Sequence, residues 1–178
     1  MSSLNLQDII DSAEAVDLTT EMVVDICNGQ VNIFIYHELA DISNIAELFK
    51  DDYPCILLYE LQAKNVGHWV CLTKKDNEIS YFDSYGYPVD WALRLSKLNQ
   101  MPYLTKLLQK AIQEGVHLEQ NTSRLQILDG AVNTCGRWSA IRAVFHQLSN
   151  QKFARLFQTR LTLTTPDQIV TLMTLPSW

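Results

Sequence analysis

"GHWVCLTKKDNEISYFD", residues 67–83, is the stretch that organises the rest of the chain. Two alternating runs, Gly67–Thr73 and Glu78–Asp83, flank the polar "KKDN" of residues 74–77, which is the pattern of a β-hairpin. With the turn centred on Lys75-Asp76, Leu72 faces Ile79, Val70 faces Tyr81 and His68 faces Asp83. On the other side Cys71 faces Ser80 and Trp69 faces Phe82. One face of the hairpin is therefore apolar until it ends in a histidine and an aspartate. Opposed β-carbons lie about 4.5–5.5 Å apart, close enough for a carboxylate to orient an imidazole. A slip of one residue would put the two on opposite faces. An imidazole held by a carboxylate has a fixed tautomer and raised basicity, which suits a general base.

A second stretch supplies something for that base to act on. In "DGAVNTCGRWSAIRAVFHQL", residues 129–148, the turn formers Asp129, Gly130, Asn133 and Thr134 give way to Trp138, Ile141, Phe145 and Leu148 at helical spacing. Cys135 stands at that junction, where the unpaired N–H groups of a helix start favour thiolate over thiol. His146 lies about three turns along the same helix and is out of reach. His68 is the histidine whose setting fits.

The chain has 178 residues, a net charge of −6 and 47% hydrophobic residues, the composition of one globular domain. The start "MSSLNLQDIIDSAEAVD" lacks a basic n-region, so no secretory signal is expected, and no apolar run is long enough for a bilayer. A soluble protein that does not engage a membrane is the expectation. Cys27, Cys55, Cys71 and Cys135 form no CxxC pair and no zinc-ligand spacing, so neither a metal nor another cofactor is expected. The first three of these cysteines fall in apolar runs and read as packing residues. Residues 1–100 hold 6 Lys/Arg against 16 Asp/Glu, and residues 101–178 hold 8 against 4. Arg137, Arg142, Lys152, Arg155 and Arg160 concentrate the basic excess, which packing of the two halves would compensate. The overall acidity argues against tight non-specific binding to DNA.

Short helices are expected at Leu6–Ser12 and Thr20–Cys27, then a strand in "VNIFIYHEL" and a helix in "ISNIAELFK" stopped before Pro54. A strand at Cys55–Leu61 precedes the hairpin. "PYLTKLLQKAIQEG" is a helix with Pro102 at its start and Gly115 past its end. "VHLEQNTSRLQIL" is strand-like with a break at Asn121–Ser123, and helices follow Cys135 and lie near Lys152–Arg160 and Pro166–Met173. Thr165-Pro166-Asp167-Gln168 is a capping box with proline at the first helical position. Central strands with helices around them predict an α+β fold, a mixed or antiparallel sheet flanked by helices, with Cys135 at the N-terminus of a central helix.

"GHWVCL", "YFDSYG" and "LQILDGAVNTCGRW" together resemble the superfamily of adenovirus protease and the SUMO-specific proteases, which carries His, Asp/Glu/Asn, Gln and Cys in that order. Within it, the compact length and "CGRW" are most similar to the capsid-maturation proteases of large DNA viruses and virophages. The resemblance covers about residues 54–148 of a single domain spanning 1–178. It implies that His68 is the base, Asp83 its orienting partner, Cys135 the nucleophile and Gln126 the amide that meets the oxyanion. Gln126 stands nine residues before Cys135, farther than the family pattern, and Asn133 is the fallback donor. Trp69 matches an aromatic that shields the site, and Gly136 would let a substrate backbone approach, so both are candidates for substrate binding.

The activity implied is that of a cysteine endopeptidase cleaving virion structural precursors near glycine-containing sites. It would act in the virion and in the virus factory of the infected cell. Capsid or other virion precursors would be its partners, with an activating peptide as a further partner. Dependence on DNA fits the acidic balance poorly. Three other readings remain open: a SUMO- or ubiquitin-type deconjugating isopeptidase, an acetyltransferase of the same superfamily, and a non-catalytic capsid-associated scaffold.

Overall fold

In a computed structural model, which describes residues 5–63, 66–158 and 164–176, five strands form one mixed sheet with helices on both faces. The strands are β1 (Asn32–Ile35), β2 (Cys55–Ala63), β3 (Val66–Lys75), β4 (Glu78–Phe82) and β5 (His117–Gln120), adjacent in chain order. The central pairs β2–β3 and β3–β4 are antiparallel, while β1 and β5 join the two edges in parallel. This is the α+β architecture expected from the sequence.

The run Cys55-Ile56-Leu57-Leu58-Tyr59 is buried throughout because both faces of β2 are covered. Ile56 and Leu58 join Trp69, Cys71 and Phe82 in a core under α4 (Cys135–Val144), α2 (Thr20–Ile26) and α5 (Asn150–Phe157). Cys55, Leu57 and Tyr59 join Val70, Leu72, Ile79 and Tyr81 in a second core under α3 (Tyr103–Gln113) and three 3-10 helices. Helix α4 is the centre of the first layer: nine of its ten residues are buried, which explains why its sequence shows little amphipathic contrast. α1 (Leu6–Glu14) and α6 (Pro166–Met173) pack together near its start.

The hairpin differs from expectation in register. Cys71 pairs with Phe82, Leu72 with Tyr81 and Lys75 with Glu78, so the turn is Asp76-Asn77, two residues of register away from the predicted pairing. Asp76 adopts φ +52°, the left-handed conformation that a two-residue hairpin turn requires and that Asp tolerates. A shift of two preserves every side chain's face, so His68 and Asp83 still share one, diagonally rather than directly opposed.

Three other elements also depart from the sequence reading. β1 stops at Ile35 because the Glu38 carboxylate accepts the Ile35 N–H at 2.6 Å, opening a 3-10 helix over Tyr36–Asp41. "ISNIAELFK" forms a 3-10 helix, Ile45–Asp52, that loses helical dihedrals at Phe49–Asp51. The strand-like "VHLEQNTSRLQIL" pairs only to Gln120 and then runs irregularly to the start of α4. The capping box of α6 forms as expected, with the Thr165 and Gln168 side chains each bonding the other's backbone.

Two basic residues of the last third lie inside the fold, where Glu14 acts electrostatically on Arg137 and Glu119 on Arg142. Arg137 and Arg142 are buried. Arg142 donates to the Phe145 and Leu148 carbonyls, Asn150 and Thr73, and Arg137 to Thr174 and the Ala13 carbonyl. They satisfy carbonyl and side-chain oxygens inside the fold instead of facing a polyanion. Arg160 lies outside the described residues. Among the described residues no helix is long and apolar enough to cross a membrane.

Candidate active site

β3 begins where β2 bulges between Glu60 and Ala63, and there Gly67 lies against the β2 backbone. A β-carbon at Gly67 would sit 1.7 Å from the Tyr59 carbonyl oxygen, so only glycine can precede His68 here. His68 Nε2 meets Asp83 Oδ2 at 2.8 Å, with both side chains buried. Tyr85 stacks on the imidazole with ring centroids 5.3 Å apart. The other Asp83 oxygen accepts the Tyr85 N–H at 2.8 Å, closing the turn that carries the carboxylate. Gly86 ends that turn at φ +74°, with the Thr122 carbonyl only 2.8 Å from where its β-carbon would be.

The Cys135 thiol lines the same cleft as the His68 ring and lies close enough to act on it electrostatically. With Nε2 taken by Asp83, Nδ1 is the ring nitrogen left for the sulfur. Burial of His68 disfavours its charged form, but the Asp83 carboxylate, its hydrogen bond and the Cys135 thiol outweigh that. The result is a pKa raised to about 10. Cysteine, histidine and aspartate thus form one buried chain of contacts.

Gln126 is buried and lines the same cleft, a cavity of about 280 Å³ shared with His68 and Cys135. Its Oε1 accepts the Ser84 hydroxyl at 2.7 Å, and its Nε2 donates to the Val132 carbonyl at 3.3 Å. The extra length between Gln126 and Cys135 is taken up by a turn in which Val132 N–H donates to the Asp129 carbonyl. Asn133 lines the cleft, but its side-chain amide donates to the Ala15 carbonyl at 3.0 Å, which commits it to the N-terminal segment. Tyr85, Tyr87 and Trp91 form a stacked aromatic wall running outward from His68.

Trp69 and Gly136 take a different place from the one anticipated. Trp69 is buried in the core under α4, and neither residue lines the cleft. A β-carbon at Gly136 would lie 3.1 Å from Trp69 Cδ1 and 3.2 Å from Leu18 Cβ. These two side chains press on the first turn of α4, so a β-carbon there would be tight, and the pair positions Cys135 from beneath.

Two supports of the site are not evident from the sequence. Ser84 is one, an ordinary serine beside Asp83. Asp167 is the other: its sequence setting marks only a helix start, yet it is buried and accepts the Thr134 hydroxyl, the Trp138 indole N–H at 2.9 Å and the Ile127 N–H at 2.9 Å. It ties α6 to both ends of the loop between Gln126 and Cys135. The signal available is an acidic residue on the inward side of an otherwise apolar helix.

Among the described residues no His/Cys/Asp/Glu group is arranged to hold a metal ion. No protein-family model matches the chain. Over 172 residues it is 31% identical to a protein of Sputnik virophage named "Uncharacterized protein V9", a match covering 91% of this chain and 96% of that protein. Among solved structures it is similar to the C-terminal Ulp1 protease domain in complex with Smt3, the yeast orthologue of SUMO. That match has 15% identity and a TM-score of 0.39, and covers 96% of this chain and 76% of the other. Likeness of this degree leaves the chemistry to be argued from the geometry of the site.

Proposed function

Since the chain belongs to the family of the Sputnik virophage protein V9, and its own residues bring a thiol, an imidazole and a carboxylate into one cleft, we propose that it is a viral cysteine endopeptidase. The observation that carries this reading is the buried Cys135–His68–Asp83 chain of contacts opening on a cleft that also holds the Gln126 amide.

Cys135 Sγ bonds the carbonyl carbon of the scissile peptide while its proton is held by His68. Negative charge moves to the carbonyl oxygen, where Gln126 Nε2 and the Cys135 backbone N–H donate to it. The 3.3 Å bond from Nε2 to the Val132 carbonyl is long, so an arriving oxyanion displaces little. His68 gives its proton to the leaving amine as the C–N bond breaks, and the amine departs. The imidazole then takes a proton from water, whose oxygen attacks the thioester. Collapse releases the carboxylic acid, and the proton returns to the sulfur. Asp83 holds the ring in place throughout and stabilises the imidazolium.

The proposed substrates are structural precursors of a virus particle, cut near glycines, in the virion or the virus factory. The virophage relative supports a viral setting. The wall of Tyr85, Tyr87 and Trp91 supports an extended substrate with small residues beside the scissile bond. An activating peptide is compatible with the cleft's exposed rim, and the acidic chain disfavours DNA in that role.

The test is to co-express the chain with the precursor proteins of its virus and to sequence the new N-termini. Defined cleavage that disappears in Cys135→Ala supports the reading. Release of a ubiquitin-like protein from isopeptide-linked conjugates, with the precursors untouched, would replace the substrate class. Absence of any Cys135-dependent bond cleavage would end the enzymatic reading.

A further inference from the structure

We infer that Ser84 is a positioning residue that sets which end of the Gln126 side chain faces the oxyanion, an inference that rests on the hydrolase reading above. Ser84 is fully buried, and it holds Gln126 at two levels. Its carbonyl accepts the Leu125 and Gln126 N–H groups at 2.9 and 3.0 Å, fixing the backbone. Its hydroxyl donates to Gln126 Oε1 at 2.7 Å, fixing the side chain.

The orientation matters because the two ends of a glutamine amide have similar shape and opposite hydrogen-bonding character. Only Nε2 can donate to a developing oxyanion. Were the amide turned over, Oε1 would face the Val132 carbonyl, acceptor against acceptor, where Nε2 now donates at 3.3 Å. The Ser84 proton would also lose the acceptor it now has. Ser84 on one side and the Val132 carbonyl on the other therefore select the same orientation.

Asp83 and Ser84 are consecutive, so one dipeptide serves both halves of the reaction. Asp83 orients the base, and Ser84 orients the donor that meets the charge. Asn121 locks that dipeptide to the loop carrying Gln126: its Oδ1 accepts the Asp83 N–H at 2.8 Å, and its Nδ2 donates to the Asp83 carbonyl at 2.7 Å. A third Asn121 bond, to the Ser123 carbonyl at 3.2 Å, holds the loop side. Base and oxyanion donor are thus registered to each other through buried hydrogen bonds, without the substrate.

Two reactions of Cys135 separate this role from a merely structural one. Alkylation by iodoacetamide needs the sulfur and His68 but forms no oxyanion, whereas peptide hydrolysis needs both. Ser84→Ala should lower kcat for a cleaved precursor peptide by about tenfold at unchanged KM, less than loss of the donor itself in Gln126→Ala. In a Gln126→Ala background it should cost nothing further, and the alkylation rate should stay within about twofold of the parent. A loss that adds fully to that of Gln126→Ala, or alkylation that slows in parallel, overturns the inference.

A measurement without turnover keeps the inference open to refutation if Ser84→Ala folds poorly or no peptide is cut. In the NMR spectrum of the unmodified chain, the Gln126 side-chain N–H protons should show NOEs to Val132. NOEs that instead place those protons against Ser84 overturn the inference. If no peptide is hydrolysed yet the Val132 NOEs are present, the hydrolase reading fails and the positioning geometry stands.

Discussion

Among the described residues, two histidine–carboxylate pairs have nearly equal length. His37 Nδ1 meets Glu60 Oε2 at 2.7 Å, and His68 Nε2 meets Asp83 Oδ2 at 2.8 Å. The first histidine has 48% of its side chain exposed, the second 8%. The Glu60 carboxylate is itself buried, but water reaches His37 and screens that side of the pairing. Around His68 the medium is protein, and Tyr85 covers one face of the ring. A thiol lies beside the ring and acts on it electrostatically. The contact distance is therefore uninformative by itself. What separates a reactive pair from an ordinary one is the exclusion of water and the presence of a third group.

The largest effect should come from that third group. Cys135→Ser keeps size and polarity but exchanges sulfur for a much weaker nucleophile, and turnover of any substrate should fall by at least about 10³-fold. The melting temperature should stay close to that of the parent, since the site is small against two cores. Substrate hydrolysis followed beside thermal unfolding checks both. Undiminished turnover would place the chemistry elsewhere.

Asp83→Asn comes next. The amide keeps the shape but cannot offset the burial of a charged imidazole, so kcat should drop by about 10²–10⁴-fold. The His68 pKa, followed by the NMR chemical shifts of its ring protons, should fall from about 10 toward or below its reference value near 6.5. If it stays high, Asp83 is not what holds the proton.

The same pKa has a consequence for stability. Below the unfolded-state value near 6.5, folded and unfolded chains both hold the His68 proton and the full contribution is present. Between there and about 10 the folded chain binds more protons, so stability falls as pH rises through that window. The loss should amount to a few kcal/mol at most, since one bound proton changes the folding free energy by about 1.4 kcal/mol for each pH step of one. Urea unfolding at pH 6, 8 and 10, roughly bracketing that window, should show a decline that is smaller in His68→Gln. A decline of equal size in both would assign it to other groups.

Asp167 offers a smaller structural effect. Asp167→Asn leaves an oxygen for Thr134 or Trp138 but cannot accept from Ile127 while its amide nitrogen occupies that side. The cost should be about 2 kcal/mol in denaturant unfolding, the scale of a buried unpaired N–H. Because Asp167 braces the loop from Gln126 to Cys135, kcat should fall more than stability alone accounts for. A variant unchanged in both would free α6 from that role.

The sequence exposes the parts of this arrangement that depend on local pattern and conceals those that depend on tertiary packing. Alternation in β3 and β4 puts His68 and Asp83 on one face, and the change of period after Asn133 puts Cys135 at a helix start. The turn position is ambiguous in sequence because Lys75-Asp76 and Asp76-Asn77 are equally polar, and the expected side-chain face survives the two-residue difference only because strands repeat every two residues. Ser84, Asn121 and Asp167 reach other segments of the site across 29 or more residues of chain. No periodicity marks such bonds. Trp69 and Gly136 stand beside candidate site residues and look like site residues themselves, whereas their contact with each other is packing.

The sharpest control on the comparison is the pair expected to do least. His37→Gln keeps a side chain that can still reach Glu60, removes the imidazole, and leaves the Cys135 cleft untouched. Gln100 Nε2 already approaches the same Glu60 oxygen at 3.3 Å, so the carboxylate keeps a donor when His37 is gone. Turnover should stay within about twofold, and unfolding free energy should change by no more than about 0.5 kcal/mol, as for a surface pair. A large loss of activity would mean that the Glu60 end of β2, next to the bulge beside Gly67, transmits to His68. Burial and a thiol partner would then be insufficient as the criterion, and the two pairs would have to be treated as one connected device.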